Sequence, residues 1–231
     1  MALNTIIYRF LSARHGLEAL QTRTLKVGRL LDLNDPLDCS PRIINYQPQS
    51  VDVLNERFEQ NVISDAAKTL GLLCFSEAVD DPVVWSHYAD CHRGIALGFC
   101  FPEKEAGFPV SYKNERAQLD YATLSVMESP NLKKVLEQGF TTKAPSWRYE
   151  REYRKFVDLD TCRMVGEHYF TSLPQMSFIQ VVLGCRCAIV ANDIIRLLGE
   201  NTKIAVLRAK TRQDSYTIDM GGEREAMLIR P

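Results

Sequence analysis

The sequence predicts an α+β fold in a single domain, with a mixed, mostly antiparallel sheet and flanking helices. Segments of strand length and segments of helical spacing follow one another without a regular β-α-β alternation, which argues against a doubly wound parallel sheet. We detect no internal repeat and no low-complexity linker. Residues 1–231 are therefore treated as one domain, which is long enough to bury its own core without disulfides or metals.

The first part of the chain predicts a strand, a helix, a second strand and a turn. Thr5–Phe10 is apolar and β-branched, which is typical of a strand. Ser12 can cap a short helix that ends near Leu20, because a serine oxygen accepts a hydrogen bond from the first helical turn. Thr24–Val27 has the pattern of a strand, and Asn34-Asp35-Pro36 has the composition of a turn.

The middle of the chain predicts two helices and two strands. Apolar residues at helical spacing run over Val51–Leu70, and Gly71 is expected to end that helix. Leu72–Phe75 follows as a buried strand. Asp80-Asp81-Pro82 can open a short helix, because aspartate caps a helix and proline suits its first turn. Gly94–Phe101 is apolar and predicts another strand.

The last part of the chain predicts further strands with three helices between them. Pro109–Tyr112 is expected to be the hairpin partner of the preceding strand, and Asn192 is expected to cap a helix that Gly199 ends. The other predicted helices are Ala117–Val126 and Asn131–Phe140. The other predicted strands lie within Tyr149–Val157, at Phe178–Leu183 before Gly184, and at Ile204–Ala209 and Tyr216–Met220.

Charge and cysteine content limit the class of protein. The net charge is −1 with 25% charged residues, so no strong overall field attracts nucleic acid or an acidic membrane surface, although RNA or DNA stays open as a substrate. Seven cysteines, an odd number at irregular spacing, indicate reduced thiols. We find no signal-peptide pattern and no apolar run near the ~20 residues that span a membrane. A cytoplasmic protein with no membrane partner is expected.

Aromatic and titratable side chains cluster at Trp85-Ser86-His87-Tyr88 and continue into Asp90-Cys91-His92. On a helix, Trp85 and Tyr88 share a face and His87 points elsewhere. One interpretation is a core anchor, with both large rings packed inward and His87 hydrogen-bonded. The other is a pocket wall that binds a cofactor through aromatic faces and through His87.

A second cluster is Trp147-Arg148-Tyr149-Glu150-Arg151-Glu152-Tyr153-Arg154. On a strand, Glu150 and Glu152 would face the same side. They could form an ion-pair ladder on a solvated face, or an acid–base pair in a cleft, because adjacent carboxylates push one pKa upward. Tyr8-Arg9 adds an arginine to an apolar strand, where it needs a partner: a carboxylate, namely Glu150, Glu152 or Asp38, or a bound phosphate.

Several standard site motifs are missing from the sequence. There is no phosphate-binding Gly-rich loop, no H-E-x-x-H and no G-x-S-x-G elbow. A metal site built on His87, His92 and a carboxylate is not diagnostic by its spacing, and no metal is expected.

Five segments in fixed order resemble a bacterial family of unknown function that includes proteins related to the AbiGi-type abortive-infection proteins. They are YRF near the start, NDPLD at Asn34–Asp38, LCFSE at Leu73–Glu77, VWSHYAD with HRGIALGF at Val84–Phe99, and WRYEREYR at Trp147–Arg154. The resemblance implies a stand-alone bacterial protein in phage defence or a toxin–antitoxin system. It implies no chemistry.

A second resemblance, to mono-ADP-ribosyltransferases of the Arg-Ser-Glu type, implies a mechanism and a related fold. That family has an arginine on its first strand, a serine ending a later strand, and a Glu-x-Glu further on, which correspond to Arg9, Ser76 and Glu150-x-Glu152. NAD would be the substrate, with Arg9 on a phosphate or ribose and Ser76 bracing the nicotinamide ribose. Glu152 would hold the ribose 2′-hydroxyl and Glu150 would orient the acceptor.

The candidate site therefore joins catalytic and cofactor-binding residues into one expected cleft. The catalytic candidates are Glu152, Glu150, Arg9 and Ser76, and the NAD-binding candidates are Tyr8, Arg9, Ser76, Trp85, His87 and Tyr88. This chain departs from the transferase pattern, because Phe75-Ser76-Glu77 replaces the usual Ser-Thr-Ser.

Three functions stay open on the sequence alone. The first is transfer of ADP-ribose from NAD to a macromolecular acceptor, a protein or a nucleic acid. The second is a defence sensor or antitoxin-like binding module with a cognate partner and no turnover. The third is a metal-dependent nuclease.

Overall fold

The computed structural model describes residues 5–45, 52–102, 105–121, 135–174, 177–199, 203–220 and 226–227. Its helices are α1 (Ala13–Thr22), α2 (Asp52–Thr69), α3 (Pro82–Tyr88) and α4 (Ala191–Leu198), with 3₁₀-helices at Leu30–Asp32, Pro145–Glu150 and Leu159–Thr161 and helical residues at 135–139.

The strands, in chain order, are β1 (Ile6–Leu11), β2 (Thr24–Arg29), β3 (Arg42–Ile44), β4 (Leu70–Ser76), β5 (Ile95–Cys100), β6 (Phe108–Pro109), β7 (Ser111–Tyr112), β8 (Gln118–Asp120), β9 (Thr142–Lys143), β10 (Glu152–Asp158), β11 (Arg163–Val165), β12 (His168–Ser172), β13 (Phe178–Leu183), β14 (Ala205–Arg208), β15 (Lys210–Thr211), β16 (Ile218–Asp219) and β17 (Ala226–Met227).

One large sheet dominates the structure. Its 11 strands run in the order β11-β12-β2-β4-β1-β5-β13-β14-β17, and β10 joins it by pairing with β4 and β6. All of these pairings are antiparallel except β13 with β14. The predicted α+β class with a mostly antiparallel sheet is therefore confirmed. Separate two-stranded pairings join β3 to β8, β7 to β9, and β15 to β16.

The sheet splits beside β4, and this split creates the site. One edge of β4 pairs with β10 over the whole of Leu70–Ser76. The other edge pairs with β2 only at Leu72 and Gly71, and with β1 only at Ser76. Within the described strands, the three residues between these contacts have no strand partner on that edge. On that edge, backbone N–H and C=O groups of these three residues are available for hydrogen bonds with side chains.

Apolar residues pack on both faces of the sheet, as the alternation of strands requires. On one face, Ile7 and Leu97 pack with the buried residues of α1 and α4. On the other face, Tyr8 and Phe10 pack against Trp85 of α3. A third group of buried residues joins Leu72 to Phe140 and to residues of α2. The predicted core strands are thus central to the sheet.

Four local predictions were wrong. Gly71 does not end α2 but is the second residue of β4, where a Cβ would lie 2.5 Å from Val27 Cγ1 and 2.6 Å from Leu159 Cδ2. Pro109–Tyr112 does not pair with β5; its residues pair with β10 and β9. The predicted helix Ala117–Val126 contains strand β8, which pairs with β3.

The fourth wrong prediction concerns a helix cap. Helix α4 starts after Val190, so Asn192 lies inside the helix, although Gly199 does end it, with φ at +84°. Residues 122–126 and 131–134 of the predicted helices lie outside the described residues. The Ser12 cap of α1 and the Asp81 cap of α3 are confirmed.

Candidate functional site

A cavity of about 320 Å³ opens at the split in the sheet. Pockets that bind small molecules measure roughly 300–1,000 Å³, so this cavity can hold part of a dinucleotide. The lining comes from β1, the loop after β2, the end of β4, helix α3, β9 and the start of β10. The lining residues are Tyr8, Arg9, Phe10, Asp32, Leu33, Asn34, Asp38, Cys74, Phe75, Ser76, Val84, Tyr88, Lys143, Glu150 and Glu152.

Arg9 lies half-buried at the mouth of the split. Its Nη1 donates to the carbonyl oxygen of Cys74 at 2.7 Å, one of the β4 groups that the split leaves without a strand partner. Arg9 and Tyr8 are neighbours on β1, so their side chains start from opposite faces of the sheet, but both line the cavity. Among the described residues Arg9 forms no ion pair, so the expected pairing with a carboxylate is absent. The guanidinium keeps donors available for an anion in the cavity.

Five buried charged residues lie together at the floor of the cavity, and four of them line it. The fifth, Arg154, is fully buried and binds two of the others. Lys143 Nζ lies 2.7 Å from Glu150 Oε2, 3.2 Å from Glu152 Oε2 and 3.3 Å from Asp38 Oδ2. Arg154 binds both oxygens of Glu152 at 2.9 Å and Asp38 Oδ2 at 2.7 Å. Three carboxylates thus face two cations, and all five residues are at most 7% exposed. We call these five residues the buried charge cluster.

The two glutamates of this cluster have opposite pKa shifts. Burial alone would raise the pKa of Glu152, but the charge of Arg154 and its hydrogen bonds outweigh burial and lower that pKa to about 2. Burial raises the pKa of Glu150 above its ordinary value, against the opposing charge of Lys143. Lys143 stays protonated, because the neighbouring carboxylates raise its pKa more than burial lowers it. One carboxylate is therefore a fixed anion and the other is suited to proton transfer.

The Glu-x-Glu segment does not form the single strand that the sequence suggested. Glu150 ends the 3₁₀-helix Pro145–Glu150, Arg151 has a left-handed backbone with φ at +43°, and Glu152 begins β10. The turn at Arg151 still brings both carboxylates to one lysine, Lys143. The condition of the prediction, that both lie on one strand, is not met, and it is the shared contact with Lys143 that brings the two carboxylates together.

Ser76 lies at the cavity, in register with Tyr8 on β1 and with Glu152 on β10. Its hydroxyl donates to the carbonyl oxygen of Glu150 and accepts from the backbone N–H of Ala78 at 2.9 Å. Ser76 therefore fixes the backbone that carries Glu150. Tyr8 accepts a hydrogen bond from Gln180 Nε2 at 2.6 Å, and burial raises the pKa of its phenol to about 12.

Helix α3 divides the aromatic cluster between core, cavity and surface. Trp85 is fully buried, donates to the carbonyl oxygen of Val79 at 2.7 Å and packs edge-on against Phe10. It is a core anchor and does not line the cavity, so the cofactor role predicted for it was wrong. Tyr88 does line the cavity, and its hydroxyl donates to Glu150 Oε1.

His87 lies outside the cavity, on the exposed side of α3, contrary to the prediction that it binds the cofactor there. Its Nδ1 is 3.0 Å from the hydroxyl of Tyr149. The cavity thus contains Tyr8, Arg9, Ser76, Tyr88, Glu150 and Glu152 of the candidate residues, without Trp85 and His87.

Sequence reasoning missed Lys143 and the role of Arg154. Lys143 stands in an ordinary polar segment, and it lines the cavity from β9, a two-residue strand that pairs in parallel with β7. Arg154 is fully buried, with its remaining donors on the carbonyl oxygen of Phe140 and on Cys39. The alternation Glu152-x-Arg154 was the available signal, since it places both side chains on one face.

Four further observations bear on other kinds of site. Within the described residues, no group of three or more His, Cys, Asp or Glu side chains is arranged to hold a metal ion. Asp90, a carboxylate that lies between His87 and His92 in the sequence, is paired with Arg93. All seven cysteines are unpaired, and no helix in the described ranges is both long and apolar enough to cross a membrane.

Comparison with known proteins gives one match. Residues 84–155 match the model of a family described as a protein of unknown function, DUF2971. The matched segment is less than a third of the chain and runs from Val84, at the cavity wall, to the residue after Arg154. No curated protein and no solved structure matches the chain.

Proposed function

We propose that the chain binds NAD in this cavity and transfers its ADP-ribose to a macromolecular acceptor, with release of nicotinamide. The observation that carries the proposal is the register of three neighbouring strands. On β1, β4 and β10, Tyr8, Ser76 and Glu152 stand side by side, and Arg9 follows Tyr8 into the same cavity. Along the chain, Arg9, Ser76 and Glu152 also follow one another in the order of the Arg, Ser and Glu of the transferases that the sequence resembles.

In the proposed reaction, the bond between nicotinamide nitrogen and ribose C1′ breaks and its electron pair leaves with nicotinamide. Glu152, held ionised by Arg154 and Lys143, stabilises the positive charge that develops at C1′. The acceptor then bonds to C1′ through an oxygen or nitrogen and gives its proton to Glu150, whose pKa burial raises. Arg9 binds the pyrophosphate.

The roles of two other candidates follow from their contacts. Ser76 acts through the backbone of Glu150, which it holds, more than through the ribose. Tyr88 lies at the cavity wall, where its ring can contact the nicotinamide while its hydroxyl holds Glu150. The setting in phage defence or in a toxin–antitoxin system, with a relation to the AbiGi type, rests on the sequence resemblance.

A second candidate function is a binding module without turnover, and one observation favours it. The oxygens of Glu150 and Glu152 already bind Lys143, Arg154 and Tyr88, as expected if the buried charge cluster only stabilises the fold. Such a module would bind its defence or antitoxin partner and leave NAD intact.

The test is nicotinamide release from NAD by purified protein, with cell extract as the source of acceptor. We expect release by the wild type, and a fall of about 100-fold or more in Glu152→Gln and in Glu150→Gln, because each removes a charge or base of the transition state. Glu167→Gln, at an exposed position away from the cavity, is the matched control and should keep full activity.

The melting temperature of each variant shows whether a loss of nicotinamide release comes from lost catalysis or from unfolding. Absence of release by the wild type, together with no NAD-dependent rise in its melting temperature, would refute NAD as the ligand and favour the binding module. An NAD-dependent rise without release would leave NAD as a bound ligand and refute the transfer reaction.

A further inference from the structure

We propose that Asp32 binds the adenosine ribose of NAD at the mouth of the cavity and that its carboxylate excludes NADP. This role of Asp32 rests on the proposed function, since it concerns the same ligand in the same cavity. It decides which nicotinamide dinucleotide the site accepts. It also gives a purpose to the loop between β2 and β3, whose exposed side chains the proposed reaction does not use.

The residues that line the cavity differ in exposure, and the exposed ones mark its mouth. Among these lining residues, Asp32 and Asn34 alone are exposed. The side chain of Asp32 is 65% exposed, whereas Glu150 and Glu152 are 4% and 5% exposed. The carboxylates proposed for the chemistry therefore lie at the closed end of the cavity, and one loop carries both exposed residues at its open end.

The size of the cavity places the two halves of NAD at different ends. A volume of about 320 Å³ suits one nucleotide half of the molecule. The proposed reaction puts nicotinamide and its ribose against Glu152, so the adenosine half leaves through the mouth, past Asp32 and Asn34. Arg9 is half-buried and holds the pyrophosphate that joins the two halves. The adenosine ribose is thus the part of NAD that comes within reach of the loop.

The loop that carries these two exposed side chains is held in place on both sides. Leu30 precedes them and is 4% exposed, packed in the core. Asp35 follows them, and its carboxylate accepts from Trp147 Nε1 at 2.8 Å and from the backbone N–H of Leu37 at 2.9 Å. Side chains on a fixed backbone bind a ligand without first ordering the loop, which lowers the entropic cost of binding.

The contacts of Asp32 leave its carboxylate available for a sugar. Its ion pair with Arg29 measures 4.0 Å from Nε to Oδ2, which is longer than a hydrogen bond, and both side chains are largely exposed. Arg29 itself is not among the residues that line the cavity. A carboxylate accepts hydrogen bonds from the adjacent 2′- and 3′-hydroxyls of ribose, and it repels the 2′-phosphate that NADP carries on its adenosine ribose.

The test is isothermal titration of NAD and NADP into wild type and Asp32→Asn, with Asp160→Asn, at an exposed aspartate outside the cavity lining, as control. We expect wild type to bind NAD about tenfold or more tightly than NADP, because the carboxylate attracts the hydroxyl and repels the phosphate. Asp32→Asn keeps the shape and removes the charge, so its two dissociation constants should lie within about threefold of each other. Asp160→Asn should keep the wild-type ratio.

Two further titrations locate the contact. Nicotinamide mononucleotide lacks the adenosine ribose and should bind wild type and Asp32→Asn equally. NAD should bind Asp32→Asn about 3- to 10-fold more weakly than wild type, because an amide replaces a charged acceptor. Added salt should reduce the preference of wild type for NAD over NADP, since a charge at an exposed mouth is screened.

The outcomes separate the role of Asp32 from the proposed function. Equal or tighter binding of NADP by wild type, or an unchanged preference in Asp32→Asn, would refute that role and leave the proposed function standing. An equal loss of affinity for nicotinamide mononucleotide and for NAD in Asp32→Asn would refute the adenosine ribose as the group that Asp32 binds. A wild type that binds neither dinucleotide would refute NAD as the ligand of the cavity, and the role of Asp32 with it.

Discussion

At the scale of single residues, two arginines of this protein have opposite roles although both lie on strands of the large sheet. Arg154 is fully buried and saturated by Glu152, Asp38 and a backbone carbonyl. Arg9 donates one hydrogen bond to the carbonyl oxygen of Cys74 and faces the cavity with its other donors. A buried cation without full pairing is costly, so the arginine at the cavity is the one suited to bind an anionic ligand.

We therefore predict that Arg9→Gln weakens binding of NAD while the fold is kept. Hydrogen bonds to charged groups contribute about 1.5–3 kcal/mol each, so the dissociation constant should rise about 10- to 100-fold. Isothermal titration with NAD measures the change, and Arg14→Gln, at an exposed position of α1, is the control. Equal affinity in wild type and Arg9→Gln would contradict the assigned role.

The sequence could predict some of these residues because each stands out locally. Arg9 interrupts an apolar strand, and Glu150 and Glu152 form a close acidic pair. Lys143 has no such signal, because it reaches the cavity through the pairing of two-residue strands that lie far apart in the chain. The sequence left the location of Trp85 open between core and cavity, because an aromatic side chain on an amphipathic helix suits either. In the structure Trp85 packs against Phe10 in the core.

At the scale of elements, helix α3 carries the cavity wall on only seven residues, which is too short to be stable alone. Its start is fixed by Asp81, whose Oδ1 accepts from the backbone N–H of Val83 at 2.8 Å. Its far end holds Tyr88 against Glu150. The Asp81 cap and the buried Trp85 together fix the helix, and so position the Tyr88 hydroxyl that donates to the Glu150 carboxylate.

Asp81→Ala should therefore destabilise the protein by about 1 kcal/mol, the usual effect of losing an N-cap. For a chain of this length that corresponds to a fall of about 2–4 °C in melting temperature. Asp81→Asn keeps a capping oxygen and should stay within a few tenths of a kcal/mol of wild type, a difference that calorimetry of the three proteins resolves. Equal losses in both variants would show that the charge, and not the cap, is what matters.

Element boundaries show where local signals suffice. Ser12 and Asp81 were found from the sequence, because capping is a contact between neighbours in the chain. Gly71 was misassigned as a helix end. Its lack of a side chain serves close packing against Val27 and Leu159, which are brought there only by the sheet. The segment Ala117–Val126 was misassigned for a related reason, since β3 draws part of it into a strand.

At the scale of the whole molecule, the buried charge cluster joins distant parts of the chain. Asp38 comes from the loop between the 3₁₀-helix Leu30–Asp32 and β3, Lys143 comes from β9, and Arg154 comes from β10. Removing one member of such a cluster leaves an uncompensated charge and costs about 3–5 kcal/mol. Because four residues of the cluster also line the cavity, a change of pH that protonates its carboxylates should change both the cavity and the free energy of unfolding.

The last prediction is that Glu152 makes the fold sensitive to acid. The pKa of its carboxyl is about 2 in the folded protein, below the ordinary 4.5, so its contribution to stability is complete above 4.5 and is lost as the pH falls toward 2. The contribution is on the order of 3 kcal/mol. Glu150 has the opposite sign, because its raised pKa favours the folded state at low pH, and it does not add to the acid loss. Urea unfolding of wild type and Glu152→Gln should therefore show free energies that converge by that amount as the pH is lowered from 4.5 to 2. Parallel curves for Glu152→Gln would mean that this carboxyl titrates normally and that the ion pairs with Arg154 and Lys143 do not hold it ionised.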